Sequence, residues 1–218
     1  MTRTDPAWLT GPVVDVAPRL LGAHLTTVLP DGVVTVRLTE VEAYDGENDP
    51  GSHAYRGRSA RNAVMFGSAG YLYVYRHMGL HVCANVVTGV DGSASAVLLR
   101  AGEVVEGADL AGERRRRHGV LRTDVDLARG PARLADALGI DLTMYGVDLL
   151  DQDSPVRLVP PAQPLDHVTG PRVGVSGAGG DAVVHPWRFW IPGEPTVSAY
   201  RAAARRPRRA RQTRPGPE

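Results

Sequence analysis

The sequence predicts a single α+β domain built on a curved, mostly antiparallel β-sheet flanked by helices. Three observations favour this architecture. The chain has 218 residues, a length that suits one domain of ordinary core size. Strand-like runs cluster in the first half and a few helical segments follow, which is typical of α+β domains. Apolar residues make up 43% of the chain and charged residues 22%, the composition of a globular protein rather than a disordered one.

The first elements are a helix and a β-hairpin. Apolar spacing predicts a helix over residues 12–21, although Pro18 within it would kink or shorten that helix. Strands are predicted over 24–29 and 33–44, on either side of Pro30-Asp31-Gly32. Because an Asp-Gly pair supplies the positive φ angles of a tight turn, the two strands should form a hairpin.

The later elements follow a loop rich in Gly, Ser, Asn and Asp over residues 45–69. Gly139 is placed to end the last predicted helix. The four consecutive arginines of 114–117 cover more than one helical turn, so a solvated helix surface is favoured over phosphate contact. The predicted strands cover 71–77, 81–87, 94–105, 156–159, 172–175 and 187–191, and the predicted helices cover 106–118 and 131–138.

Charge is distributed unevenly along the chain. Residues 201–218 contain seven Arg and one Glu, a net charge of +6, whereas residues 1–200 carry a net charge of −5. The C-terminal segment is polar and interrupted by proline, so we expect a disordered tail after a domain over 1–200. An electrostatic arm for a polyanion such as DNA fits this tail, and so does a solubilising end or compositional drift.

Composition excludes several function classes. The sequence contains no Lys, which removes a P-loop lysine, a Schiff-base lysine and a lysine general base. Its one cysteine, Cys83, cannot form an internal disulfide or a four-cysteine zinc site. No apolar run reaches the roughly 20 residues that span a bilayer, and the N-terminus lacks a signal-peptide core. We therefore expect a cytoplasmic protein without a membrane partner.

A candidate catalytic carboxylate lies near the end of the second predicted strand. Alternation places Glu40, Glu42 and Tyr44 on the same face as the apolar residues Val34 to Leu38, so Glu42 should point inward beside an aromatic ring. A carboxylate desolvated in this way suits a general base or acid. A bulge or twist would instead turn both carboxylates out to solvent, and the pattern leaves this alternative open.

A second candidate feature is the alternation of Tyr71, Tyr73 and Tyr75 on one strand face. Such a series is common in simple packing, but its polar-tipped rings also suit a slot for a flat heterocycle. Asn85 and Arg100 lie on the next predicted strands and can present an amide and a guanidinium to the same pocket, although structural hydrogen bonding is the ordinary role of both.

His77, His81 and Cys83 also fall at even spacing, which is compatible with a metal site. On one continuous strand, however, the first and last would lie roughly 20 Å apart at about 3.3 Å per residue, too far for one ion. We therefore expect no metal, and a metal-dependent hydrolase that uses His53 with the other two histidines is a minor hypothesis.

A series of motifs resembles the alkyladenine (3-methyladenine) DNA glycosylase family. The motifs occur in the family's order from about residue 12 to residue 200, so the resemblance is more specific than any single motif, and only the Arg-rich tail lies outside it. They are Glu40-Val41-Glu42-Ala43-Tyr44, His53, Arg61-Asn62, Met65-Phe66, Tyr71-Leu72-Tyr73-Val74-Tyr75, Cys83-Ala84-Asn85, Val97-Leu98-Leu99-Arg100, Gly130-Pro131-Ala132-Arg133-Leu134, Arg172-Val173-Gly174-Val175, Pro186-Trp187-Arg188-Phe189-Trp190-Ile191 and Val197-Ser198.

The resemblance implies a hydrolase that flips a damaged purine out of double-stranded DNA and cleaves its N-glycosidic bond. Glu42 matches the general base that activates a water for attack on C1′ of the deoxyribose, and Arg100 matches the arginine that helps to hold that water. Without a lysine amine, the expected enzyme is monofunctional, leaves an abasic site and needs no cofactor. We also expect a monomer, nucleoid-associated when it is bound to DNA.

The same resemblance implies the residues that bind the flipped base. Tyr44, His53 and Tyr75 match the rings that sandwich it. Asn85 matches an amide of the pocket wall that excludes guanine by clashing with its exocyclic amine. Val173 matches a residue whose backbone approaches the site.

One departure from the family concerns Met78. It stands where the family often has a tyrosine that wedges into the gap left by the flipped nucleotide, a role that an apolar Met can also fill. Together with the negative charge of residues 1–200, this departure is the support for an alternative to the glycosylase. The alternative is a module that binds lesions or nucleic acid on the same fold, with weak or absent catalysis.

Overall fold

A curved antiparallel sheet organises the fold, and the computed structural model describes residues 3–203. The strands are β1 (His24–Leu29), β2 (Gly32–Tyr44), β3 (Leu72–His77), β4 (His81–Val87), β5 (Ala96–Glu106), β6 (Val156–Val159), β7 (Val168–Gly170) and β8 (Arg188–Trp190). They run in the order β3-β4-β5-β2-β1-β6, with β8 pairing both β2 and β7. The predicted α+β class with a curved, mostly antiparallel sheet is confirmed.

The long strand β2 is the centre of this sheet. Along one side it pairs with β5 over most of its length. Along the other side β1 pairs with its first half, and β8 pairs with Glu40, Val41 and Glu42 near its end. The end of β2 that carries the candidate carboxylates is therefore enclosed by strands on both sides.

Within residues 3–203, three short α-helices flank the sheet: α1 (Val13–Val16), α2 (Ala108–Arg116) and α3 (Pro131–Leu138). A 3₁₀ helix, Ala17–Leu20, follows α1 directly, so the predicted helix over 12–21 exists in two pieces. Pro18 lies at the start of the second piece, where its missing N–H has no intrahelical partner to lose. The third helix has the predicted bounds and ends at Gly139, which has a φ of 69°.

The first hairpin forms as predicted, but its turn is one residue shorter. Gly32 already belongs to β2 and pairs with Leu29, so the turn consists of Pro30 and Asp31. Gly32 has a φ of 135°, a conformation that glycine adopts without strain.

The predicted strand over 172–175 is wrong. Gly174 has a φ of 72°, which interrupts extended backbone, and the nearest strand is β7 just upstream. The amide of Val173 donates to the side chain of Glu42 at 2.7 Å instead of joining a ladder. This segment is thus a loop that contacts the candidate site through the Val173 amide.

The predicted solvated face of the second helix is wrong for two of its four arginines. Arg114 is buried and donates hydrogen bonds to both carboxylate oxygens of Asp31, at 2.6 and 3.1 Å. Arg115 is also buried and donates to Asp136 at 3.0 Å. These ion pairs fasten α2 to the first hairpin and to α3.

The side-chain alternation along β2 changes face in the middle of the strand. Even-numbered residues up to Leu38 lie in the main core, whereas beyond Glu40 the core residues are Val41 and Ala43. The register against β5 shifts on both sides of Glu40, as a β-bulge requires. Glu42 therefore lies on the opposite face from the apolar residues that precede it, and it is fully buried there.

The described residues also bear on the membrane and tail predictions. None of the helices within 3–203 has the length and apolar character that crossing a bilayer requires. The tail predicted over 201–218 falls mostly on residues 204–218, which lie outside the described residues. Its first residue is attached to the domain, because the carbonyl of Arg201 accepts a hydrogen bond from the amide of Gly174 at 3.0 Å.

Close packing at the bulge requires a glycine on β5, which gives a stability prediction. A Cβ at Gly102 would lie 2.3 Å from Val36 Cγ1 and 2.5 Å from the carbonyl oxygen of Arg37. We expect Gly102→Ala to lower the free energy of unfolding by about 1–3 kcal/mol, measured by urea denaturation. Gly119→Ala is the control, since no atom lies within 4 Å of its Cβ, and it should change stability by less than about 0.5 kcal/mol. Equal losses for both variants would contradict the packing argument.

Candidate active site

A pocket of about 480 Å³ opens on the face of the sheet opposite the main core. Its volume lies within the usual range for small-molecule sites. Its walls come from the sheet, from the loop after β2, from the start of α3 and from the loop after β7. The lining residues are Tyr44, Pro50, Gly51, His53, Met65, Tyr73, Tyr75, His77, Cys83, Asn85, Ala96, Leu98, Arg100, Pro131, Val173, Gly174, Val175 and Ser176.

Residues of four neighbouring strands lie in one row on the sheet surface beneath the pocket. Tyr73 on β3 pairs with Asn85 on β4, and Asn85 pairs with Leu98 on β5. Leu98 in turn pairs with Glu42 on β2. Because paired residues of neighbouring strands share a face, these side chains all lie on the pocket side of the sheet.

Glu42 is fully buried directly behind the pocket lining, against Tyr44, Arg100 and Val173. Its Oε1 accepts a hydrogen bond from the amide of Val173 at 2.7 Å, and its Oε2 accepts one from the hydroxyl of Tyr44 at 2.9 Å. Arg100 Nη1 lies 3.4 Å from Oε1. All three partners line the pocket. Since a carboxylate offers about four lone-pair sites, Glu42 retains capacity to accept a hydrogen bond from a further donor such as water.

A second buried carboxylate, Glu40, holds Arg100 in place. Its Oε1 accepts hydrogen bonds from Arg100 Nε at 3.0 Å and from Arg188 Nε at 2.5 Å. Its Oε2 accepts one from the amide of Ser198 at 2.7 Å. Burial alone would lower the pKa of Arg100, but the charges of Glu42 and Glu40 outweigh burial and raise that pKa above its usual value. The guanidinium is therefore a fixed cation between two carboxylates.

The phenol of Tyr44 is a hydrogen-bond donor in this site. Burial, followed by the negative charge of Glu42, raises the pKa of Tyr44 well above its usual value. The hydroxyl therefore keeps its proton near neutral pH and donates it toward the carboxylate.

An aromatic cluster of His53, Tyr73 and Tyr75 also lines the pocket. His53 Nδ1 is 2.9 Å from the hydroxyl of Tyr73, and the His53 ring meets the Tyr75 ring edge to face at 4.5 Å. Tyr73 and Tyr75 stack with their centroids 5.7 Å apart. Burial of its ring, followed by the positive charges of Arg61 and His77, lowers the pKa of His53 to about 4. The imidazole is thus neutral at pH 7.

Asn85 is buried in the pocket wall, and its Nδ2 donates a hydrogen bond to the carbonyl of Tyr73 at 3.0 Å. This bond fixes the side-chain amide to the neighbouring strand. The amide is therefore a rigid polar feature of the wall rather than a mobile one.

Met78 lies outside the pocket, at the tip of the hairpin between β3 and β4. Its side chain is 81% exposed, and the nearby Leu80 is 76% exposed. Met78 has a φ of 49° and is the one non-glycine residue with positive φ within 3–203. The turn is closed by the amide of Leu80, which donates to the carbonyl of His77 at 3.0 Å. His77 lines the pocket, so the exposed apolar tip stands beside its mouth.

The described residues provide no ligand set for the metal-site hypothesis. Within 3–203, no three His, Cys, Asp or Glu side chains are grouped to hold a metal ion. His77 and His81 face each other across the hairpin, whereas Cys83 pairs with Tyr75 further along the ladder.

The structure brings most of the predicted site residues together at the pocket. Tyr71, grouped with the other tyrosines, lines a separate depression instead of the pocket. Residues that sequence reasoning missed include Glu40 as a partner of Arg100, and the buried pair of Arg172 and Asp49. Only Glu40 carried a signal, since it alternates with Glu42. The pocket lining brings together six of the eight predicted residues: Tyr44, His53, Tyr75, Asn85, Arg100 and Val173. Glu42 lies behind this lining, and Met78 lies outside the pocket.

Comparisons with known proteins agree with one another. The family model described as methylpurine-DNA glycosylase matches residues 7–195. A protein of Streptomyces avermitilis is 56% identical over 201 residues, which cover 91% of this chain and 92% of that protein. One of Nocardia farcinica is 54% identical over 201 residues, 88% of each chain. Both bear the name "Putative 3-methyladenine DNA glycosylase".

The family match spans most of the chain, and the relatives exceed half identity over nearly their whole lengths. The chain therefore belongs to the methylpurine-DNA glycosylase family and is a DNA glycosylase.

Proposed function

We propose that this protein removes 3-methyladenine and other alkylated or deaminated purines from double-stranded DNA by hydrolysing the N-glycosidic bond, leaving an abasic site. The observation that carries the proposal is the buried carboxylate of Glu42, held by three residues that line a pocket with aromatic rings. The names of the relatives support 3-methyladenine as a substrate.

The pocket holds the damaged base after its nucleotide has left the duplex. Tyr44, His53 and Tyr75 all line the pocket, and the rings of His53 and Tyr75 meet edge to face. A purine alkylated on its ring carries positive charge, which the faces of aromatic rings attract. Stacking in the pocket offsets part of the few kcal/mol that flipping costs. A neutral His53 adds no repulsion toward such a base.

Glu42 acts as the general base in the hydrolysis. It takes a proton from a water, whose oxygen bonds to C1′ of the deoxyribose while the C1′–N bond breaks. The bonding electron pair leaves with the base, so a cationic alkylated purine departs neutral and a neutral deaminated purine takes up a proton. Arg100, held by Glu40, keeps the Glu42 carboxylate in place and is the cation available to the water and a nearby phosphate.

Asn85 limits which bases enter. Its amide is fixed by the carbonyl of Tyr73, so it cannot turn aside for an exocyclic amine such as that of guanine. A normal guanine would leave polar groups clashing or unpaired in a buried wall, which is the stronger form of discrimination.

Double-stranded DNA meets the pocket mouth. Residues 50–90, which supply much of the pocket lining, contain four Arg and no Asp or Glu. Arg56, Arg58, Arg61 and Arg76 are all exposed and are available to phosphates. Met78 at the hairpin tip fills the gap left by the flipped nucleotide. One chain supplies every residue named, so a monomer suffices.

Replacing Glu42 by Gln tests the chemistry. Gln keeps the size of the side chain but cannot accept the proton, so the single-turnover rate of base release should fall at least about 100-fold. The substrates are duplexes that each carry one alkylated or deaminated purine, and affinity for them should change little. Glu113→Gln, on an exposed residue of α2, is the control and should match the wild type. Binding without release by the wild-type protein would instead support a non-catalytic lesion-binding module.

Replacing Met78 tests the wedge. Met78→Ala should weaken binding to lesion-bearing duplex about tenfold, roughly 1.4 kcal/mol, because the gap is then left unfilled. Met78→Tyr should bind at least as tightly as the wild type, since a ring stacks better between bases. Val120→Ala removes an equally exposed apolar side chain elsewhere and is the control. The comparison uses fluorescence anisotropy, and unchanged affinity of Met78→Ala would rule out the wedge.

The charge state of His53 can be measured directly. In a proton NMR titration its imidazole should titrate near pH 4, so it stays neutral while the pH falls from 8 to 5. Arg61→Ala should raise the pKa of His53, because a nearby positive charge is removed. Arg58→Ala, on an exposed arginine of the same loop, should leave it unchanged. Titration of wild-type His53 near its ordinary value would contradict the desolvation of its ring in the pocket.

A further inference from the structure

Arg172 precedes Val173 in the chain, and its side chain has a set of partners that the reaction described above does not use. The guanidinium is fully buried. Its Nη1 and Nη2 donate hydrogen bonds to the two carboxylate oxygens of Asp49, at 2.5 and 2.7 Å. The same two nitrogens donate to the carbonyls of Ala43 at 2.9 Å and Gly179 at 2.6 Å.

These bonds join the end of β2 and the loop after it to the loop after β7, which is more than 120 positions away in sequence and adjacent at the pocket. Ala43 belongs to the end of β2, Asp49 to the loop after it, and Gly179 to the loop after β7. Each segment also supplies lining residues next to its contact: Tyr44, Gly51 and Val175. Arg172 thus ties together one entire side of the pocket.

The packing around the guanidinium leaves it no freedom to shift. A Cβ on Gly51 would lie 2.6 Å from Arg172 Nη2, and a Cβ on Gly179 would lie 2.3 Å from the amide nitrogen of Gly51. The flat guanidinium also lies 4.6 Å from the centre of the Tyr44 ring and 5.3 Å from that of Trp187. The Tyr44 ring therefore rests on a fixed surface.

We propose that Arg172 is a positioning residue for base release: anchored by Asp49, it fixes the Val173 amide that holds Glu42 and the ring of Tyr44 that stacks on the base. The inference rests on the proposed function of Glu42. Its physical basis is that the Val173 amide, one residue from the anchor, makes the 2.7 Å hydrogen bond to the Glu42 carboxylate. Displacing the anchor moves that donor, and with it the Glu42 carboxylate that acts as general base.

Arginine is suited to this position and lysine is not. The site uses a planar group with parallel donors for a carboxylate, further donors for two carbonyls, and a flat face for Tyr44. Lysine retains the positive charge but has one ammonium group without a flat face. Arg172→Lys therefore removes the geometry while it keeps the charge.

A matched control exists elsewhere in the chain. Arg114 is also buried, also donates to both oxygens of an aspartate, Asp31, and also donates to a carbonyl, that of Ala137 at 3.2 Å. It does not line the pocket. Arg114→Lys should thus lower the stability of the fold for similar reasons, and it should leave Val173 and Tyr44 where they are.

The experiment measures catalysis, binding and stability for the wild type, Arg172→Lys and Arg114→Lys. Single-turnover base release and affinity are measured on a duplex with one hypoxanthine, well below the unfolding midpoint of every variant. We expect Arg172→Lys to release base about 100-fold more slowly, as displacements near 1 Å do, while its Kd changes less than about threefold. Arg114→Lys should match the wild type in both quantities, although both variants unfold at lower temperature.

The outcomes separate this inference from the proposed function. No release by the wild type would refute the proposed function and this inference with it. Release by the wild type with an unchanged rate for Arg172→Lys, or with equal losses for both variants, would overturn only the role of Arg172.

If Arg172→Lys does not fold, Gly51→Ala makes the same test with the arginine present. Its new Cβ would push Arg172 Nη2 out of position, so base release should slow while the charge is kept. Gly67→Ala, whose Cβ would meet only the carbonyl of Val64 at 3.3 Å, is the control. An unchanged rate for Gly51→Ala with lowered stability would overturn the inference.

Discussion

Two carboxylates buried two residues apart on one strand are the constraint on which the rest of the site depends. Burying unpaired charge is expensive, and two like charges side by side add repulsion. Glu40 is compensated by Arg100, Arg188 and the amide of Ser198. Glu42 has only a backbone amide, a phenol and the more distant end of Arg100. The more fully paired carboxylate, Glu40, supports the cation, and the less fully paired Glu42 keeps lone-pair capacity for a further donor.

The bulge in β2 makes this arrangement possible. Had the alternation continued, Glu42 would have pointed into the main core among aliphatic side chains, with no donor in reach. The register shift around Glu40 instead puts it on the face where Tyr44, Arg100 and the loop after β7 meet. That loop carries the Val173 amide and is fastened by Arg172 and Asp49. A local irregularity and a distant ion pair together build one side of the candidate active site.

Sequence alone predicted local structure well where a single pattern determined it. The bounds of β4, β6 and α3 agree with the structure, because alternation and a Gly stop signal are local. The face of Glu42 was predicted wrongly within β2, since a bulge leaves no mark in the alternation. The pair of Arg172 and Asp49 left no signal, as its members are 123 positions apart. The strand predicted at 172–175 failed for the same reason, because its amide serves a distant side chain.

Net charge alone is a poor guide to how such a domain meets DNA. Residues 1–200 carry −5, which on its own argues against a polyanionic partner. Residues 50–90, however, hold four Arg and no acid, so the other residues of 1–200 carry 14 Arg against 23 acidic side chains, a net −9. Because like charges repel, we expect the acidic remainder to turn away from phosphates and residues 50–90 to face them. The uneven distribution of charge therefore supports an oriented encounter with DNA despite the net charge of −5.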